Sequence, residues 1–285
     1  MAAPRPLHVC LLAVTVAAAL VLPGCPKTKP PATSSPTDQA PTPASSAPQP
    51  ATMITVFAGA ASKPALTDLG SMYEARTGAK VAITFGGSGA VLTQFAQEQY
   101  GDVYIPGSDD FLDKAEKKGA VVKDTRTVLV YLVPTICVAK GNPKQVHDLK
   151  DLARSDLRVV VGQPESVCLG DIAASALADA GLWDKVKPHI ASYASSCEDT
   201  LNNLLLGEAD VIIGWDVFAR QHPDKVESIP LLGKAARPRN IPASVIQWSK
   251  QPDEAKAFIR FLASAEAQDV FSRHGYTPKP PRPPA

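Results

Sequence analysis

Strand and helix patterns alternate almost without interruption between residues 53 and 277. The strand pattern MITVFA is followed by the helix pattern KPALTDLGSMYEARTG, and KVAITF followed by VLTQFAQEQY repeats the unit. Strands separated by helices form mainly parallel sheets with helices on both faces. The sequence therefore predicts an α/β fold, and about 225 residues are enough for two lobes with separate cores.

The later segments continue this pattern. DVYIPG is a short strand, and VLVYLVPTICVAKG is a β-rich run long enough to cross from one lobe to another. RVVVGQP is a strand that precedes a helix, and DVIIGW is a buried strand. After an irregular section marked by prolines, DEAKAFIRFLASAEAQDVFSRHG predicts one long helix.

The chain begins with a targeting pattern. Arg5 and His8 precede an apolar run that ends in LPGC, which is typical of a bacterial signal peptide over residues 1–25. LPGC resembles a lipobox, whose cysteine, here Cys25, is lipidated after cleavage; plain secretion is the alternative. Residues 26–52 are rich in Pro, Ser, Thr and Ala and predict a disordered tether, and residues 278–285 predict a disordered Pro-rich tail.

The charge balance argues against a nucleic-acid partner. The chain has 29 basic and 28 acidic residues, but five of the basic and one of the acidic residues lie outside 53–277. The predicted folded region is therefore slightly acidic, with 24 basic and 27 acidic residues and no basic run. The five histidines show no metal-ligand spacing, so neither a metal cation nor another cofactor is predicted.

The stretch FGGSGAV, residues 85–91, lies where a strand ends and a helix begins. Glycines allow close backbone approach, and the free N–H groups and dipole of a helix N-terminus favour a small anion. The stretch lacks the Gly-Lys-Ser/Thr of a P-loop, and Leu92 replaces the third glycine of a dinucleotide fingerprint. The simpler alternative is a tight turn in which Ser88 is an ordinary N-cap.

Three more strand ends carry unusual turns: FAGAASK, GQPESVCLG and GWDVF. Each places small residues, hydroxyls or free N–H groups where a helix starts. Ligands of open α/β sheets bind beyond the carboxyl ends of the strands. Together the four turns predict one site between two lobes.

These segments, in order, resemble the periplasmic molybdate/tungstate-binding proteins of ABC transporters. The resemblance runs from ITVFAGAASKPALTDLGSMYEARTGAKVAITFGGSGAVLTQF through GDVYIPGS, VYLVPTICVAKGNP, DLKDLARSDLRVVVGQPESVCLG and ALADAGLWDKVKP to GEADVIIGWDVFA and the closing helix. Each motif alone is shared with other type II binding proteins, and the ordered set is more specific.

The resemblance implies a two-lobe type II periplasmic binding protein fold, with the ligand cleft between the lobes. Residues 53–133 and 220–277 would form lobe I, and residues 134–219 would form lobe II. The implied function is capture of molybdate or tungstate and delivery to an ABC permease and its ATPase. The protein would be a periplasmic or extracytoplasmic, lipid-anchored monomer and not an enzyme.

The resemblance also implies a set of oxyanion-binding residues. Ala61 and Ser62 share the first loop, and which of the two donates is left open. Trp215 stands where many relatives have tyrosine, so its indole N–H would donate or its ring would only wall the pocket. The full set implied is Ala61, Ser62, Ser88, Cys168, Leu169, Cys197 and Trp215.

Neutral donors suit a fully deprotonated oxyanion, which only accepts hydrogen bonds, whereas a protonated phosphate would also need an acceptor. Lys63 adjoins the first loop and is expected at the cleft edge, where it would aid capture. Asp102, Asp109 and Glu165 are expected to cap helices or line the rim.

Several alternatives stay open. A type II receptor for sulfate, phosphate or ferric iron is one, although the six tyrosines include no adjacent pair of the kind that iron receptors use. An enzyme with a cysteine nucleophile is another, with His147 or His189 as a base only by elimination. Cys168 and Cys197 lie on loops of the same cleft, so a disulfide is conceivable. Cys137 is predicted to be a buried small residue.

Overall fold

The computed structural model describes residues 52–281, which contain two five-stranded sheets flanked by helices. The two-lobe α/β fold predicted from the sequence is confirmed. The signal peptide, Cys25, the tether up to residue 51 and the end of the tail from residue 282 lie outside the described residues. Within the described residues, no helix is both long enough and apolar enough to cross a membrane.

The first lobe is built on a sheet with the strand order β2-β1-β3-β10-β4. Its strands are β1 Met53–Gly59, β2 Lys80–Gly86, β3 Val103–Ile105, β4 Thr127–Leu132 and β10 Arg239–Val245. β1 pairs in parallel with β2 and β3, whereas β10 is antiparallel to β3 and β4. The sheet is therefore mixed, because β10 enters it from the far end of the chain.

The second lobe has the strand order β7-β6-β8-β5-β9. Its strands are β5 Pro134–Ala139, β6 Val159–Gly162, β7 Ile190–Ala194, β8 Val211–Trp215 and β9 Val226–Pro230. β6 pairs in parallel with β7 and β8, and β5 is antiparallel to β8 and β9. The two sheets thus repeat the same mixture of parallel and antiparallel pairs.

Helices cover both sheets. They are α1 Lys63–Thr77, α2 Ser88–Glu98, α3 Asp109–Lys117, α4 Cys168–Asp179, α5 Trp183–Val186, α6 Cys197–Leu205, α7 Asp216–Gln221, α8 Pro252–Leu262 and α9 Ala265–Arg273. α1 ends as its sequence predicts, because Gly78 takes the left-handed conformation (φ 75°) and its N–H donates to the Glu74 carbonyl.

Two sequence predictions need correction. The segment predicted as one long helix is two helices. Ser264 interrupts it and is the N-cap of α9, where its hydroxyl accepts a hydrogen bond from the Ala267 N–H. The irregular section before it contains β9 and β10. Since β9 pairs with β5, the second sheet continues beyond residue 219, and the chain does not return to the first lobe at residue 220 as predicted.

The connection between β4 and β5 passes through Val133 alone. Asp216, the first residue of α7 in the second lobe, holds this residue from both sides. Its carboxylate accepts from the Val133 N–H at 3.0 Å, and its own N–H donates to the Val133 carbonyl at 2.9 Å. One of the two crossings between the lobes is therefore fixed by hydrogen bonds at a single residue; the other is the segment between β9 and β10.

Candidate functional site

The four turns selected from the sequence follow β1, β2, β6 and β8. The turn after β2 meets the turn after β6 across the two lobes. The N–H groups of Gly89 and Ala90, at the start of α2, donate to the Ser166 carbonyl at 2.8 and 3.4 Å. Residues from both lobes therefore meet at one place.

Gly87 and Gly89 are the points of closest approach. A Cβ added to Gly87 would stand 2.5 Å from the Ser166 carbonyl oxygen and 2.8 Å from that of Ser195. A Cβ on Gly89 would stand 2.2 Å from the carbonyl oxygen of Glu165. Real Cβ atoms do not come this close, so glycine at both positions is what lets the lobes close against each other.

Ser88 is the first residue of α2 and is buried. The N-cap position belongs to Gly87, so the reading of Ser88 as an ordinary cap is wrong. The Ser88 hydroxyl instead accepts from the Gly107 N–H at 2.9 Å, and its carbonyl accepts from the Tyr104 hydroxyl. Neither bond uses the proton of the hydroxyl, and the neighbouring Cys168 sulfur is within its reach.

The first loop, residues 60–62, is a short 3₁₀ helix buried after β1. The Ser62 hydroxyl donates to the Gly59 carbonyl at 2.9 Å, and the Ala61 carbonyl accepts from the Tyr276 hydroxyl. In this conformation the Ser62 proton is therefore used within the loop. The Ala61 side chain faces Gly107, with 3.8 Å between its Cβ and the place of a Cβ on that glycine.

Gly107, which the sequence reading missed, lies after β3 at the centre of the site. A Cβ at this position would stand 2.8 Å from the Cys168 sulfur, which belongs to the second lobe, and 3.5 Å from the Ser88 hydroxyl. The signal was present in the strand DVYIPG, which ends in a glycine at the same sheet edge as the selected turns.

Cys168 and Cys197 are the first residues of α4 and α6, and both are buried. Their sulfurs are 3.4 Å apart. The hydrogen bond from the Cys168 thiol lowers the pKa of Cys197, and the indole of Trp215 and the N–H of Leu169 lower it further. The same contact between the thiols, together with burial, raises the pKa of Cys168 well above its usual value.

Trp215 ends β8 and is fully buried. Its indole N–H has no hydrogen-bond partner within the described residues. The indole nevertheless lies close enough to Cys197 to influence the ionisation of that thiol. The buried Trp215 N–H therefore lies beside the pair of sulfurs of Cys168 and Cys197.

Two ion pairs join the lobes near the site. Lys63 contacts Glu198 at 2.8 Å, which places Lys63 at the edge of the cleft as expected. Lys114 contacts Asp171 at 2.6 Å. All four side chains are partly exposed, so these pairs hold the rim and leave the buried part of the site without charged side chains.

The three acidic residues considered from the sequence lie outside the buried site. Asp102 accepts hydrogen bonds from Thr55, Ser249 and Gln251 within the first lobe. Asp109 begins α3, and burial raises its pKa. Glu165 is exposed on the turn before α4.

The described residues contain no group of three or more His, Cys, Asp or Glu side chains that could hold a metal ion. No histidine is among the hydrogen-bond partners of Cys168 and Cys197 in this part of the chain. A recess of about 770 Å³ is lined by residues such as His147 and Leu232 of the second lobe and shares no residue with the candidate site.

Comparison with known proteins agrees with this arrangement. The bacterial extracellular solute-binding protein family matches residues 54–277. The molybdate-binding protein ModA of Mycobacterium tuberculosis is 28% identical over 231 residues, which cover 80% of this chain and 85% of that protein. ModA of Escherichia coli is 27% identical over 236 residues, covering 79% and 89%.

The fold is shared with solved binding proteins. The sulfate-binding protein SubI from Mycobacterium tuberculosis superposes with a TM-score of 0.69 at 22% sequence identity, covering 80% of this chain and 87% of that one. The two-lobed fold and the family match define a solute-binding protein. The chain belongs to the bacterial extracellular solute-binding protein family.

Proposed function

We propose that this protein captures molybdate or tungstate outside the cytoplasm and delivers it to an ABC permease and its ATPase. The observation that carries the proposal is the indole N–H of Trp215, which is fully buried and has no partner in the described chain. Leaving such a donor unsatisfied costs about 1–3 kcal/mol. An oxyanion oxygen is the kind of acceptor that would remove this cost.

The donors around this position are neutral. The Ser88 hydroxyl, the Leu169 N–H and the Trp215 N–H all offer protons, and no carboxylate lies among them. A fully deprotonated dianion needs donors only, and hydrogen bonds to a charged acceptor are stronger than those between neutral groups. The proposed binding shell comprises Ala61, Ser62, Ser88, Cys168, Leu169, Cys197 and Trp215.

Capture would involve closure and no covalent step. Ser88 belongs to the first lobe, whereas Leu169 and Trp215 belong to the second. An anion that bonds to both lobes favours the closed form by the difference in its affinity for the two forms. The Ser166 carbonyl contacts and the two rim ion pairs would add to that preference.

The proposal includes a lipid anchor. Cys25 would be lipidated after removal of residues 1–25, and the Pro-rich segment 26–52 would tether the lobes to a bacterial membrane. A tether of this kind would keep the protein beside its permease. Cys25 lies outside the described residues, so its sequence context alone supports this part.

Sulfate is the second candidate. The likeness in fold to the sulfate-binding protein SubI favours it, because sulfate is also a tetrahedral dianion that accepts without donating. The molybdate-binding relatives match the chain at higher identity and over a similar length, which supports molybdate or tungstate first.

Titration calorimetry with molybdate, tungstate, sulfate and phosphate tests the proposal. The wild-type protein should bind the first two and show much weaker heats with the others. Ser88→Ala should weaken binding about tenfold or more, because a charge-assisted hydrogen bond contributes about 1.5–3 kcal/mol. Ser71→Ala, a matched change on an exposed face of α1, should leave affinity unchanged.

Trp215→Phe separates donation from packing, because it removes the indole N–H and keeps an aromatic ring. We expect it to weaken binding, whereas Trp248→Phe, a partly buried tryptophan packed elsewhere in the first lobe, should not. Equal affinity of the wild type for all four anions, or no binding of molybdate and tungstate, would reject the proposed function. Unchanged affinity in both site variants would reject the site.

A further inference from the structure

The close pair of cysteines in the second lobe has a chemistry that anion capture does not use. Cys168 and Cys197 are free thiols in this structure, and their sulfurs lie 3.4 Å apart, close enough for a small side-chain adjustment to bring them to bonding distance. Both residues begin helices that pack against β6. The third described cysteine, Cys137, lies in β5, where its thiol contacts the Trp215 carbonyl at 3.8 Å.

The local environment prepares one sulfur for exchange. Cys197 lies at the N-terminus of α6, where the helix dipole favours a thiolate, and the Cys168 sulfur lies 3.4 Å from the Cys197 sulfur. A thiolate is the form that attacks a disulfide. Cys137 is different, because burial raises its pKa to about 12 and keeps it as an unreactive thiol.

We propose that Cys168 and Cys197 form a disulfide in the exported protein, and that this disulfide is part of the wall of the anion site. The role of the disulfide in the anion site rests on the proposed function, whereas the formation of the disulfide does not. The compartment outside the cytoplasm is where such bonds form and persist.

The oxidant is a carrier disulfide of the thiol–disulfide oxidoreductase class. The Cys197 thiolate attacks one carrier sulfur, which forms a mixed disulfide and releases the other carrier sulfur as a thiolate. The Cys168 thiolate then attacks the Cys197 sulfur and releases the second carrier thiolate. The two cysteines lose two electrons and two protons, and the carrier leaves as a dithiol.

The burial of both sulfurs determines when this exchange can take place. In the closed form Cys168 packs against Gly107 of the first lobe, and both sulfurs are buried. A carrier protein therefore needs the open form or the chain before it has folded. Closure over a bound anion would protect the reduced pair from exchange.

The bond also changes what the site offers an anion. Ionisation of the reduced Cys197 sulfur would place a negative charge beside the anion site, and the Leu169 N–H and the Trp215 indole favour that ionised form. A disulfide carries no charge and is a weak acceptor. The oxidised protein should therefore bind the anion more tightly than the reduced protein.

Peptide mapping tests the bond directly. The full chain is exported by a bacterial host, denatured with iodoacetamide and no reductant, and digested with trypsin. The expected product is peptide 159–185 joined to peptide 186–220 through Cys168 and Cys197. Peptide 127–140, which carries Cys137, should be alkylated and serves as the internal control.

Alkylation of both Cys168 and Cys197 without reductant, or a bond from either to Cys137, would overturn the inference. In the variant Cys197→Ser, Cys168 should become alkylated. A product in which Cys168 remains blocked in that variant would show a different partner and would also overturn it.

Calorimetry with molybdate tests whether the disulfide is part of the wall of the anion site. Reduction of the wild type should weaken binding at least about threefold, because the ionised Cys197 sulfur then places a negative charge beside the anion site. The double variant C168A/C197A should not respond to the reductant. Equal affinity of oxidised and reduced wild type would refute the role in the wall. A linked protein that binds no anion in either state would refute the proposed function and leave the disulfide standing.

Discussion

Gly87→Ala is the most direct test of how the two lobes close. Gly87 precedes α2 with φ −64° and ψ 137°, a conformation that alanine adopts without strain. The nearest atoms to an added Cβ are the Ser166 and Ser195 carbonyl oxygens at 2.5 and 2.8 Å, and both belong to the second lobe. The substitution should therefore leave the open form intact and obstruct the closed form.

The cost can be worked from these contacts. Overpacking of this kind costs about 1–3 kcal/mol. Moving the lobes apart to relieve it would also weaken the bonds from Gly89 and Ala90 to the Ser166 carbonyl, each worth about 0.5–1.5 kcal/mol. Together these terms amount to about 2–6 kcal/mol when both bonds are lost, so molybdate affinity should fall at least about 30-fold.

Titration calorimetry measures the affinity, and thermal unfolding without anion measures the fold. The matched control is Gly70→Ala in α1, where an added Cβ would meet only Ile83 and Val81 side chains at ordinary distances of 3.5 Å or more. We expect Gly87→Ala to keep its melting temperature and lose affinity, and Gly70→Ala to keep both. Affinity within threefold of the wild type for Gly87→Ala would refute the reasoning, and small-angle scattering would then show equal compaction on binding.

Three further outcomes follow. Lys63→Met removes the half-exposed pair with Glu198, so anion affinity should fall less than about fivefold, and less still in high salt; a larger loss by calorimetry would contradict a rim role. Asp210→Asn should lower the free energy of unfolding in urea by about 1 kcal/mol at neutral pH, since Arg158 lowers the pKa of Asp210 in the folded protein. A carboxylate with a lowered pKa stabilises the fold above its unfolded-state pKa of about 4, so the difference between wild type and variant should disappear as the pH falls below that value. A difference that stays constant with pH would exclude this cause. Cys25→Ser should move the protein from the membrane fraction to the soluble fraction, and retention at the membrane would exclude the anchor.

The sequence predicted the fold well where the pattern is local. Strand and helix periods located β1, β2, β6 and β8 and the helices that follow them, because each of these pairs repeats one unit. The antiparallel β9 and β10 were missed. Their places in the sheets depend on pairing with β5 and β4, which are distant in sequence, and prolines obscure their pattern.

The candidate site shows the same division. Ser88 was predicted from the turn FGGSGAV and Cys168 and Cys197 from the resemblance, and the structure places each of the three at the first position of a helix. Gly107 was missed because its importance comes from a sulfur in the other lobe, 61 residues further along the chain. The ion pair of Lys63 with Glu198 could not be predicted either, because the two residues belong to different turns that the sequence does not relate to each other.

The two hydrogen bonds between Asp216 and Val133 have a mechanical consequence. Two connections join the lobes, at Val133 and between β9 and β10, so the lobes separate by rotating about this pair of connections. Sliding of one lobe past the other would break the two hydrogen bonds of Val133. Displacement then grows with distance from these connections. A partner protein that binds each lobe far from Val133 would have the longest lever arm and would separate the lobes with the least force.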